Sequence, residues 1–135
     1  MADDQVFYVG QKALIRKGDA ILVLKDQYGT DLPGGKIQIG EEHLENALHR
    51  EIAEETGLTI TVDKPFATGM WKVREPHLLA GARIFYVVYV ADYVSGEIVL
   101  SDEHETFEWV TKETYRAYKS DDDIYRAIEA YFLSL

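Results

Sequence analysis

A chain of 135 residues with 47% hydrophobic and 28% charged positions, 10 Gly and 3 Pro has the size and composition of one folded domain, spanning 1–135, and excludes a disordered tail or fibrous repeat. Its formal net charge of −10, with 24 acids against 14 bases and no Lys/Arg cluster, excludes duplex nucleic acid as a partner but leaves small phosphorylated ligands held through divalent cations. There is no cysteine for a disulfide, thiolate site or thiol nucleophile, and the longest apolar run, eight residues at 84–91, falls far short of the roughly 20 a membrane helix needs. Met1-Ala2-Asp3-Asp4 lacks a basic segment followed by an apolar one, so a soluble cytoplasmic protein is expected, with no membrane contact.

Residues 5–25 read as two extended stretches around the hairpin signal Lys17-Gly18-Asp19, the second apolar enough for an interior strand. Residues 26–36 hold three of the ten glycines and one of the three prolines, and read as a loop set by turn chemistry. A helix is predicted over 44–55, stopped by Gly57. Strands are predicted at 58–62, 66–73 and 83–93, with a loop at 74–82, and shorter ones at 97–100 and 107–110 around the acidic loop 101–106. Ile124, Ile128, Tyr131, Phe132 and Leu135 recur at helical spacing behind Ser120 and Asp121 as caps, which predicts a C-terminal helix at about 121–134. Strands, helix, strands, helix is an α+β order, that of a helix–sheet–helix sandwich.

At roughly 100° per residue, Leu44, Ala47, Leu48, Ile52 and Leu58 share one stripe of the first helix with Glu51 and Glu55, while Glu54 falls at its edge. Like charges at i, i+3 and i+4 repel. A hard divalent cation reverses that sign, because it takes several carboxylate oxygens at one point. On spacing alone a solvated acidic helix, its charge offset by Arg50 or Lys36, explains the pattern equally well.

The surrounding residues decide between the two. Gly35 to Leu58 resembles the Nudix box, G-x5-E-x7-R-E-U-x-E-E-x-G-U with U aliphatic: Arg50-Glu51-Ile52-Ala53-Glu54-Glu55-Thr56-Gly57-Leu58 matches at every specified position. The first half carries one extra residue, so that counting from Gly35 reaches Glu41 and counting back from Arg50 reaches Glu42. Leu32-Pro33-Gly34-Gly35 is similar to the family's lead-in, with Thr30 where an aromatic is often found. Residues 101–110, ending in Trp109-Val110, are similar to its acidic segment, which commonly supplies a further Glu.

The resemblance implies a Nudix-like α/β/α sandwich with a mixed sheet, its box helix at about 43–56, and hydrolysis of the phosphoanhydride of a nucleoside diphosphate linked to another group. It implies Mg²⁺ or Mn²⁺ held by Glu51, Glu54 and Glu55, by a carbonyl of Gly34 or Gly35, and by Glu103 as the distal carboxylate. One of Glu51, Glu54 and Glu103 would act as base on a metal-polarised water. Arg50 would orient the carboxylates or brace the loop. Lys36 and Arg74 are candidates to touch phosphates, and Trp71, Tyr28 and Phe7 candidates to stack on a base. His43, His49, His77 and His104 show no paired ligand spacing and no expected catalytic duty, and Asp121-Asp122-Asp123 is explained by a helix amino terminus.

The expected partner is a small-molecule nucleotide, with a homodimer as the assembly considered. A modified nucleoside triphosphate such as 8-oxo-dGTP suits the chain's size; ADP-ribose, dinucleoside polyphosphates and sugar nucleotides stay open, since loops 26–31 and 72–82 would read the base and the leaving group. The alternative is a Nudix-fold binding or regulatory module that does not hydrolyse; retention of Glu51, Glu54 and Glu55 argues for the enzyme. A Ca²⁺-binding protein finds no D-x-[DN]-x-[DN]-G loop.

Overall fold

Strand β1 (Phe7–Lys17) is apolar at Ala13-Leu14-Ile15 and β2 (Ala20–Asp26) at five successive positions, 20–24, rather than at alternate ones, and the sheet they build is buried on both sides. A computed structural model describes residues 3–74 and 79–135. Its elements continue with β3 (Gly29–Asp31), β4 (Gly34–Lys36), α1 (Leu44–Thr56), β5 (Thr59–Lys72), β6 (Arg83–Ser95), β7 (Thr106–Val110), a 3₁₀ turn (Tyr115–Tyr118) and α2 (Asp123–Leu133). The seven strands form one sheet in the order β3-β2-β1-β6-β5, with β4 also paired to β1 and β7 to β2. The β1–β6 pair is parallel and the others antiparallel, so the sheet is mixed.

Strand alternation sends side chains to two cores. On one face Leu14, Ile21, Val23 and Val88 pack with Ile124, Ile128 and Phe132 of α2. On the other Ala13, Ile15, Leu22, Leu24 and Ala91 pack with Leu48 and Ile52 of α1. Helix, sheet and helix thus make the expected α/β/α sandwich. Among the described residues no helix is long and apolar enough to cross a membrane.

Several elements differ from the prediction. The strands expected at 58–62 and 66–73 are one strand, β5, which pairs with β6 throughout and absorbs Asp63-Lys64-Pro65 through register shifts at Val62/Lys64 and Pro65/Ala67. The loop expected at 26–36 contains the short strands β3 and β4. Residues 97–100, expected as a strand, are not one: the Val99 and Ser101 amides donate to the Thr56 and Glu55 carbonyls, capping the carboxyl end of α1. The cap of α2 is Asp122, which accepts from the Tyr125 amide at 2.8 Å, rather than Ser120 or Asp121. Leu44, expected on the buried stripe of α1, is 52% exposed because it opens the first turn.

Candidate active site

The site begins where β4 brings a glycine pair under α1. Gly34 and Gly35 pair with Lys12 and Gln11 of β1. A Cβ at Gly34 would run into the Gln11 carbonyl oxygen, and one at Gly35 into the Glu51 carboxylate. Glycine at 34 thus lets β4 lie this close to β1, and glycine at 35 lets the Glu51 carboxylate come this close to the strand backbone. Gln11, buried beneath, donates from Nε2 to the Leu44 carbonyl at 2.7 Å and ties β1 to the start of the helix.

Arg50 gathers the acids. Its guanidinium donates to both oxygens of Glu41, at 2.7 and 2.8 Å, lies 2.7 Å from Glu51 Oε1, and donates to Glu54 Oε2 at 3.0 Å. Of the two acids that the box's spacing leaves open, Glu41 is the one Arg50 holds, and its Oε1 also accepts from the Gln38 amide at 2.8 Å. Arg50 holds the Glu41 carboxyl below the usual range, the backbone bond adding to the effect. The Glu51 carboxyl is pushed up by burial, against the pull of Arg50 and with the help of the Glu54 and Glu55 charges. Glu54 is 61% exposed and Glu55 5%, although they are neighbours.

Glu55 lies in a buried polar cluster. Its Oε2 accepts from the Gly34 amide at 3.1 Å, and its Oε1 lies 2.9 Å from Nδ1 of His104, whose side chain is 4% exposed. That contact lacks the alignment of a hydrogen bond, so both atoms are without a hydrogen-bond partner. His104 Nε2 faces Asp31 Oδ2 at 3.6 Å, and Lys12 Nζ donates to the same oxygen at 3.0 Å. Burial disfavours the imidazolium, but Asp31 and Glu55 outweigh it and raise His104 to about 9. Burial likewise opposes the charges of Lys12 and Asp31, yet each holds the other ionised: Lys12 is raised and Asp31 lowered.

Glu103 reaches this place through the backbone. Residues 99–101 cap α1, and the Glu105 amide donates to the Lys25 carbonyl at 2.8 Å, so the intervening loop lies beside the helix end. Glu103 there shares a small cleft with Glu51, Glu54, Glu55 and Ser101. Oxygen atoms of Glu55 and Glu103 and a nitrogen of His104 lie within 4.8 Å of one another. An orphaned buried carboxylate oxygen, a glycine cradle and oxygen donors from two elements fit a hard divalent cation.

A larger cleft of about 1180 Å³ opens from these acids and is lined by Lys36, Trp71 and Arg74 as well as Tyr28. It is ample for a nucleotide. The Arg74 guanidinium sits 5.2 Å from the Tyr28 ring centre and 5.6 Å from that of Trp71, so it belongs to an aromatic group rather than standing free. Phe7 does not line this cleft. His77 and part of loop 72–82 lie outside the described residues. Sequence reasoning set His104 aside and passed over Lys12 and Asp31; Asp31 directly precedes the Leu32-Pro33-Gly34-Gly35 lead-in, the one local hint.

Comparison with known proteins agrees with this geometry. The NUDIX domain model matches residues 9–131. An ADP-ribose pyrophosphatase of Methanocaldococcus jannaschii is 29% identical over 106 residues, covering 75% of this chain and 60% of that protein, so the chain spans less than two thirds of its relative's length. Among solved structures, the MutT protein of Methanosarcina mazei Go1 superposes with a TM-score of 0.77 at 24% identity, covering 98% of this chain and 97% of that one. A MutT NUDIX hydrolase of Burkholderia pseudomallei gives 0.72 at 25%, covering 93% and 98%. With the box residues in place around Arg50 and the match running through nearly the whole sequence, the chain belongs to the Nudix family.

Proposed function

We propose that this chain is a divalent-metal-dependent pyrophosphohydrolase that cleaves the phosphoanhydride of a nucleoside diphosphate linked to another group. The observation that carries the reading is the convergence of Glu51, Glu54, Glu55 and Glu103 on one cleft, with Glu55 Oε1 buried and unpaired. Mg²⁺ or Mn²⁺ would be held by these four carboxylates and the Gly35 carbonyl. When bound, the cation neutralises diphosphate charge and lowers the pKa of an attacking water. The chain's own part is positioning: Arg50 holds Glu51 and Glu54 in place, one of Glu51, Glu54 and Glu103 takes the proton, and Lys36 stands on β4 beside the cradle for a phosphate oxygen.

Trp71, with Tyr28 and Arg74, offers the base an exposed aromatic surface in the larger cleft. ADP-ribose leads the substrates because the curated relative bears that name; a modified nucleoside triphosphate such as 8-oxo-dGTP is second, on chain size. The non-hydrolysing module is disfavoured by the complete carboxylate set. We also propose a cytoplasmic location, where free nucleotides are found, and a homodimer, supported by exposed Phe7, Val9 and Phe85 on the neighbouring strands β1 and β6. Product analysis after incubation with ADP-ribose, 8-oxo-dGTP, dinucleoside polyphosphates and sugar nucleotides tests the reaction. Cleavage at the diphosphate in one class supports it, and no cleavage in any class contradicts it.

A further inference from the structure

We propose that His104 is a positioning residue of the metal site: wedged between Asp31 and Glu55, its imidazole fixes the Glu55 carboxylate as a ligand. This rests on the metal-dependent reading of the same carboxylates. Glu55 is confined on both sides: its Oε2 accepts from the Gly34 amide at 3.1 Å, and its Oε1 lies against His104 Nδ1 at 2.9 Å. The imidazole is itself braced, because Nε2 faces Asp31 Oδ2 at 3.6 Å and that oxygen is held by Lys12 Nζ at 3.0 Å. The other Asp31 oxygen accepts from the Leu32 amide at 2.8 Å, so the brace has little freedom.

Each ring nitrogen has a carboxylate oxygen as its near neighbour, Glu55 Oε1 for Nδ1 and Asp31 Oδ2 for Nε2, so the imidazole stands between the brace and the ligand. His104 therefore acts through Glu55 rather than as a ligand. Four groups from β1, β3, α1 and the loop before β7 meet here, Glu55 and His104 buried and Lys12 and Asp31 half-buried, and such an ionic chain adds little net stability compared with apolar packing. What it does supply is one orientation of the carboxylate, and loss of an outer partner of this kind typically costs about 10- to 100-fold in metal affinity.

The test is calorimetric titration of Mn²⁺ alone into the folded chain, with circular dichroism and thermal melts as controls on folding. His104→Leu, which removes both ring nitrogens at similar volume, should bind about 10- to 100-fold more weakly than wild type. His104→Asn, which keeps a donor where Nδ1 stands, should recover to within about threefold of wild type. Should the Leu variant fail to fold, Asp31→Asn, which loosens the brace from the cleft side, should weaken binding by at least about threefold. Wild-type affinity in the foldable His104 or Asp31 variants while Glu55→Gln is weakened would overturn the role of His104 alone, as would an Asn variant no better than Leu. Equal affinities of wild type and Glu55→Gln would overturn the metal reading beneath it.

Discussion

Glu54 and Glu55, though adjacent, have opposite surroundings: one reaches solvent and Arg50, the other is sealed against Gly34 and His104. Substituting the exposed acid should leave the fold alone, since surface changes rarely move stability by more than about 0.5 kcal/mol. Glu54→Gln is expected to lower kcat by orders of magnitude with an unchanged circular dichroism spectrum. Glu103 and Glu105 form a similar contrast in the loop before β7. Glu103 lines the carboxylate cleft and Glu105 does not, so Glu103→Gln should cost at least about tenfold in kcat and Glu105→Gln much less. Steady-state kinetics on the two variants checks this; equal activities would remove Glu103 from the site. Arg50 makes a parallel distinction, for Glu41→Gln should reduce activity while Glu42→Gln should not.

At the scale of elements, the carboxyl end of α1 organises the site. Gly57 takes a left-handed φ of 77° and its amide donates to the Ala53 carbonyl, after which residues 97–101 close over the helix end. A Cβ at Gly57 would stand 3.1 Å from the Glu97 carbonyl oxygen. Gly57→Ala should therefore destabilise by about 1–2 kcal/mol, seen as a lower urea midpoint. It should also lower activity by displacing the loop that bears Glu103 and His104. The helix was legible in the sequence because everything that makes it is local: apolar spacing, the Gly stop and the acids at i, i+3 and i+4. The Ile98-Val99-Leu100 run misleads for the opposite reason. Its composition suits a strand, but the Val99 amide, like that of Ser101 just beyond, is claimed by a helix carbonyl some forty residues earlier in the chain, which no local pattern records. His104 was illegible likewise, as its partners Asp31 and Glu55 come from two distant elements.

For the whole molecule, a sheet buried on both faces supplies the stability, and the acids stand at one end of it. Ile52 anchors α1 in the core, and Ile52→Ala should cost about 2–5 kcal/mol. Acids gathered without a cation repel one another, so a cation that binds only the folded state should stabilise it by mass action. Millimolar Mg²⁺ should raise the melting temperature of wild type more than that of the Glu51→Gln, Glu54→Gln double variant; equal shifts would mean that the metal binds elsewhere. The most direct test of the central claim is hydrolysis of the preferred nucleotide measured before EDTA, with excess EDTA, and after Mg²⁺ or Mn²⁺ is restored. Cleavage is expected to be lost on chelation and to return with either metal. Cleavage that survives complete metal removal would contradict the claim.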